Sequence, residues 1–259
     1  MTRQGWVGAV LVLATSGAGV GDAPARATEP PSSPERVVVV ELFTSQGCSS
    51  CPPADRLLRE LGEKGAGKLV PLAYHVDYWN HIGWTDPFSS ADSTKRQEAY
   101  VRRLGGGSVY TPQAVVDGAA ELVGSDATAL QAAIAAAAAK PAASIALRLE
   151  PRDAKVLVEA AVDLPESLRD RKWDLMVALY ETGLSTAVGR GENGGRTLQN
   201  DYVVRRLERA GRVKASTKGE ASLKIESGWN RAHLGVAAFL QDPDTLEIRG
   251  ASALALPAP

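Results

Sequence analysis

Two cysteines, three positions apart at the junction of a strand and a helix, constrain this chain more than any other feature. The stretch VVVVELFTSQGCSSCPPADRLLREL, residues 37 to 61, holds Cys48 and Cys51, and the sequence contains no other cysteine. Residues 36 to 43 are β-prone and apolar on both faces, the pattern of a central strand in a covered sheet. In PADRLLRELGEK (53 to 64), Leu57, Leu58 and Leu61 recur at helical spacing, and Gly65 and Gly67 end the run. The chain must therefore turn sharply from a buried strand into a helix with both thiols in the turn.

The rest of the N-terminal half alternates in the same way. KLVPLAYHV (68 to 76) reads as a second strand, and a helix is expected from about Ser93 to Leu104, broken by Gly105 to Gly107. VYTPQAVVDGAAELVG (109 to 124) reads as two short strands joined at Asp117-Gly118, a strong hairpin signal. Ser125 or Asp126 can cap a further helix, ATALQAAIAAAAAK, which Pro141 closes. The order β-α-β-α-β-β-α is that of a thioredoxin-type domain with a mixed sheet, here residues 36–141. Beyond Pro141 the texture changes to short alternating runs: ASIALRLEP, KVLVEAAVDLP, WDLMVALYET, GEASLKIES and RAHLGVAAFLQD. They predict an all-β, sandwich-like C-terminal domain over 142–259. Within it, NDYVVRRLERAG has some helical periodicity, yet its Tyr-Val-Val core suits a strand equally well.

The N-terminus sets the expected compartment. Arg3, the apolar WVGAVLVLATSGAGVG and the small-x-small pair Ala25 and Ala27 read as a signal peptide over 1–27. A proline-rich lead-in, 28–35, follows. No later run is apolar enough to span a bilayer, so the expected mature protein is exported, periplasmic or secreted, with no membrane span. With 29 Lys and Arg against 30 Asp and Glu, the net charge of −1 gives no electrostatic reason to expect nucleic acid as a partner. Oligomeric state is not legible in the sequence.

Three chemistries suit Cys48-Ser49-Ser50-Cys51. As a structural staple, a four-residue loop contributes only ~2 kcal/mol, against ~4.7 for a 100-residue loop. As half of a zinc site it lacks the second pair of ligands that such sites need. As a redox dithiol it is well placed. Unpaired N–H groups and the helix dipole favour a thiolate at Cys48, and Cys51 can attack a mixed disulfide formed there. Pro52 and Pro53 fit the first helical turn. No cofactor is required, and the expected partners are protein or small-molecule thiols and disulfides.

ELFTSQGCSSCPPAD, HVDYWNHIGWTDPFSS, YTPQAVVDG and GENGGRTLQNDYVVR together resemble the exported thioredoxin-like family labelled domain of unknown function 1223, from about Val37 to beyond Arg205. The resemblance implies a thioredoxin-like fold, export and no settled reaction. In thioredoxin-like proteins the position of Pro112 carries a cis-proline beside the dithiol. This implies that the backbone at Thr111 binds an incoming peptide or thiol, with Pro112 shaping the site and keeping metal from the sulfurs. Such proteins also keep a buried acid as proton acceptor for the second cysteine, a role Glu41 would fill here. Ser-Ser between the cysteines and Gly47 before them depart from thioredoxin proper and leave the direction of electron flow open.

The loop after the second strand gathers His75, Asp77, Trp79, His81, Trp84 and Asp86. One reading is a lid whose tryptophans, Trp79 and Trp84, pack over the dithiol with Gln46 and shape a substrate groove. Another is a copper- or zinc-handling chaperone using His75, Asp77 and His81, since His75 and Asp77 at i, i+2 would share a strand face. A third is a non-catalytic binding module with a permanently oxidised pair. RGENGGR (190 to 196) lacks the Lys-Ser/Thr ending of a phosphate loop and reads as a tight inter-strand loop or domain contact.

Overall fold

The strand-turn-helix unit around the cysteines forms as its residues require. In this computed structural model, which describes Met1, Thr2, Gly5 and residues 36–257, β1 spans Val38–Thr44 and α1 spans Pro52–Lys64. Apart from those three N-terminal positions, the expected signal peptide (1–27) and lead-in (28–35) lie outside the described residues. Pro52 and Pro53 open α1, where missing N–H groups cost nothing, and Gly65 ends it by donating to the Leu61 carbonyl. Ala54 and Leu58 face inward.

β2 (Leu69–His75) pairs parallel with β1. α2 (Ala91–Leu104) begins two residues earlier than expected because Ser90 caps it, its hydroxyl accepting from Ser93 N at 3.1 Å. β3 (Gln113–Val116) and β4 (Ala120–Val123) form the expected hairpin through Asp117 and Gly118, both at positive φ. A Cβ on Gly118 would collide with the Leu246 carbonyl, so only glycine suits that place. Asp126 caps α3 (Ala127–Ala138) by accepting from Ala129 N at 2.9 Å.

The expected C-terminal strands are present as β5 (Ser144–Pro151), β6 (Lys155–Asp163), β7 (Trp173–Glu181), β11 (Thr217–Lys224) and β12 (Leu234–Gln241). The ambiguous segment is a strand, β10 (Val203–Val213). Its ladder with β7 shifts register at Val204/Arg206 and Arg209/Gly211, and these bulges break the two-residue alternation into one that imitates a helix. Three strands went unread: β8 (Leu184–Ala187), β9 (Thr197–Asn200) and β13 (Ile248–Ala255).

The sheet does not stop at the boundary expected after residue 141. Eight strands run in the order β13-β12-β7-β10-β2-β1-β3-β4, joined across the middle where β10 pairs parallel with β2 at Val203 and Ala73. The second sheet, β11-β6-β5, packs on one face of β7 and β12 around Trp173, Leu175, Val158 and Leu223. The sandwich-like layering expected of the C-terminal half is therefore present, but one layer is continuous with the mixed sheet of the N-terminal half. Around β1 the two sheet faces are covered differently. Val38, Val40 and Leu42 pack under α1 and α3, whereas Val39 and Phe43 pack toward Tyr100 of α2 and Phe239 of β12. Among the described residues, no helix is long and apolar enough to cross a membrane.

Candidate functional site

The two sulfurs meet in the turn between β1 and α1. Cys48 and Cys51 are disulfide-bonded, with Cα atoms 5.4 Å apart. The turn is pinned by its own backbone: Cys48 N donates to Ser45 O at 3.1 Å and Cys51 N to Cys48 O at 3.2 Å. Cys51 is the N-cap of α1, so its carbonyl accepts from Ala54 and Asp55. Cys48 Sγ lies 3.9 Å from the Thr111 carbonyl oxygen and 3.3 Å from Ser50 Oγ. The Thr111–Pro112 peptide bond is cis.

Cys48 is fully buried, as is Cys51. The loop between β8 and β9 bonds the backbone of this turn. Asn193, itself fully buried, donates through Nδ2 to the carbonyls of Gln46 at 3.0 Å and Cys48 at 2.9 Å. Glu192 accepts from Ser49 N at 2.9 Å. RGENGGR is thus an inter-strand loop, as read, and it lies directly on the dithiol turn.

Both tryptophans are held at this site. Trp79 donates from Nε1 to Thr111 Oγ1 at 2.8 Å, and Trp84 from Nε1 to Gln46 Oε1 at 3.1 Å. Gln46 Nε2 donates to Asn200 Oδ1 at 2.9 Å and its backbone N to Asp86 Oδ2 at 2.8 Å. Gln46 therefore ties the dithiol turn to the aromatic loop and to β9 at once.

Beneath α1 sits a buried acid–base group. Thr44 and His75 end the paired strands β1 and β2 in register. His75 Nδ1 lies 2.7 Å from Asp86 Oδ2, and both side chains are enclosed. Burial opposes charging the ring, but Asp86 outweighs it and holds His75 above its ordinary pKa. Burial likewise opposes ionisation of Asp86, yet His75 and the backbone N–H groups of Gln46 and Phe88 keep it below the usual carboxylate value. Asp55, one helical turn beyond Cys51, is pushed up to about 6 by burial, with His75 and Thr44 pulling partly against it. The residue is half-buried overall and lines a cavity of about 170 Å³ with Pro52, Arg56 and Leu198.

Residues 39–241 match the profile of a family described as a protein of unknown function, DUF1223. The chain belongs to that family. A structural-genomics crystal structure from Agrobacterium tumefaciens is similar to this DUF1223 chain at 31% identity, with a TM-score of 0.70 over 87% of this chain and 97% of that one. HBP35 of Porphyromonas gingivalis is similar in fold, at 14% identity and a TM-score of 0.63 over 86% of this chain and 76% of that one. No functionally curated protein matches the sequence.

Three residues expected at the DUF1223 site, Glu41, Asp77 and His81, stand elsewhere. Glu41 is one residue out of phase with Val40 and Leu42, so it points away from α1 and toward α2. There Arg96 Nε donates to it at 2.6 Å and the Tyr100 hydroxyl donates to its other oxygen, which corrects its expected role beside Cys51. The metal set of His75, Asp77 and His81 is not brought together. β2 ends at His75, so Asp77 leaves the strand face and accepts from Thr94 Oγ1 at 2.6 Å, while His81 is exposed with Nδ1 2.7 Å from the Tyr78 carbonyl oxygen. Among the described residues, no group of three or more His, Cys, Asp and Glu side chains could hold a metal ion. Asp55, Glu192, Asn193 and Asn200 were missed. Only Asp55 carried a local signal, at i+4 from Cys51 on the same helix face.

Proposed function

We propose that this DUF1223 protein is an exported, thioredoxin-like thiol–disulfide oxidoreductase acting on protein or small-molecule thiols. The carrying observation is the Cys48–Cys51 disulfide at the N-terminus of α1, with Cys48 Sγ near the Thr111 carbonyl. The element order β-α-β-α-β-β-α and the strand-to-helix position of the pair also support the reading.

In the oxidising direction of a partner dithiol, a partner thiolate attacks Cys48 Sγ and the Cys48–Cys51 bond breaks. Cys51 leaves as a thiolate and takes a proton from Asp55, whose pKa, raised to about 6 by burial, lets a fraction of the carboxyl carry a proton just below neutral pH. The partner's second thiolate then expels Cys48, and two electrons have passed to the DUF1223 dithiol. In the reverse direction, Cys48 attacks a partner disulfide. Asp55 then accepts the Cys51 proton, and the Cys51 thiolate attacks Cys48 Sγ to release the partner.

Burial of both cysteines favours a second reading, a permanently oxidised pair in a binding module. One experiment separates the two. Reduced Cys51→Ala protein should form covalent mixed disulfides through Cys48 with disulfide-bearing proteins, and a Cys48→Ala control should form far fewer. Absence of any Cys48 adduct ends the exchange reading.

A further inference from the structure

The β8–β9 hairpin carries the loop that bonds the backbone of the dithiol turn. β8 and β9 pair only with each other, forming a two-stranded sheet with no ladder to either larger sheet. The loop between them is closed on itself: Val188 N donates to Arg196 O at 2.9 Å, Gly195 N to Val188 O at 2.8 Å and Gly194 N to Gly191 O at 3.0 Å. Gly191 and Gly195 at positive φ allow this tight path. The hairpin is thus a preformed unit whose internal bonds survive its displacement.

Its attachment to the dithiol turn is made by side chains. Asn193 Nδ2 bonds the Gln46 and Cys48 carbonyls, Glu192 bonds Ser49 N, and Asn200 accepts from Gln46. Trp84 packs against Gly189 and Gly191, and a Cβ added at Gly191 would lie 3.2 Å from the Trp84 Cβ. Against α1 the fit is loose, for the cavity of about 170 Å³ lies between Thr197, Leu198 and Gln199 of β9 and Pro52, Asp55, Arg56 and Arg59 of the helix. Gly183, at φ 67, stands at the start of the hairpin and can take up a change of direction.

We propose that the β8–β9 hairpin is a hinged cap over the Cys48–Cys51 disulfide, and that an outside thiol reaches Cys48 Sγ only when the cap lifts. The inference rests on Cys48 being the sulfur that exchanges, and it adds a gate that sets the rate. Lifting breaks four hydrogen bonds, releasing the Gln46 and Cys48 carbonyls, Ser49 N and the side chains of Asn193, Glu192, Asn200 and Gln46 to water, and it also uncovers the buried Val188 and Leu198. It costs no strand pairing. Asn193 dominates the closed state because it is fully buried and bonds both carbonyls of the turn.

The test follows reduction of the oxidised protein by dithiothreitol under pseudo-first-order conditions. One thiolate of the reagent attacks Cys48 Sγ, Cys51 departs and is protonated, and the reagent's second thiol closes its own ring. Asn193→Ala should accelerate the reaction about tenfold, since two buried hydrogen bonds of ordinary net strength hold the closed state. Glu192→Ala, at an exposed position with little risk to folding, should accelerate it roughly two- to threefold. Hydrogen exchange at the Ser49 amide should rise in Asn193→Ala, where its acceptor Glu192 is retained. The equilibrium reduction potential should stay within experimental error, because the cap controls access rather than the bond. Unchanged rates in both variants overturn the cap, as does an acceleration matched by an equal change in the equilibrium constant. If Cys51→Ala traps no partner while the cap variants still speed chemical reduction, the exchange function falls and the cap stands.

Discussion

Replacing Asp55 by Asn tests the buried acid–base group through stability alone. In the unfolded chain the carboxyl titrates near 3.8; in the folded protein burial pushes it to about 6. The folded state therefore binds more protons between those values. Ionising Asp55 weakens folding as pH rises through the window, fully above about 6 and not at all below about 3.8. The shift corresponds to ~3 kcal/mol, and the open cavity beside the carboxyl reduces this to about 2 kcal/mol by water screening. The charges acting on Asp55 are His75, Asp86 and Arg56, and of these His75 and Arg56 lower its pKa. Urea unfolding of the oxidised protein at pH 3 and pH 8 supplies the assay. Relative to the parent protein, Asp55→Asn should gain about 2 kcal/mol more at pH 8 than at pH 3. A stability difference independent of pH would refute the enclosed carboxyl. In reduced protein the same variant should form mixed disulfides normally but release them slowly; unchanged release would remove Asp55 from proton transfer.

Other substitutions probe the surroundings. Asp86→Asn should lower stability most between about pH 4 and 6.5, by urea titration. The His75 contribution is complete below 6.5 and fades as pH rises through its higher folded value, while the Asp86 contribution is complete above 3.8 and fades at lower pH. Glu41→Gln should cost roughly 3 kcal/mol in chemical denaturation, because it leaves Arg96 buried without its counter-charge. Its dithiol exchange rates should match those of the parent, and slowed exchange would return Glu41 to the site. Leu58→Ala should lose about 2–5 kcal/mol by opening a cavity between α1 and the sheet, measured as a shift in the urea midpoint at constant m.

The local grammar of the N-terminal half was readable because each element announces itself within a few residues. Pro52 and Gly65 bound α1, Asp126 caps α3, and Asp117-Gly118 turns the hairpin. The C-terminal strands were legible where alternation was clean and ambiguous in β10, where two bulges displaced it. β8 and β9 escaped notice because four-residue strands with half their side chains in solvent carry no apolar pattern.

The sequence by itself determined that Cys48 and Cys51 share one turn, since a three-residue separation at a strand-to-helix junction leaves them no other place. It also determined the N-terminal element order, because caps, breakers and periodicity act over a single turn of chain. Tertiary structure decided what surrounds the sulfurs. Asn193 lies 145 positions from Cys48, and the phase of β1 sends Glu41 to the opposite face from α1. Contacts over such separations are fixed by how sheets and loops pack, and no periodicity in the chain encodes them.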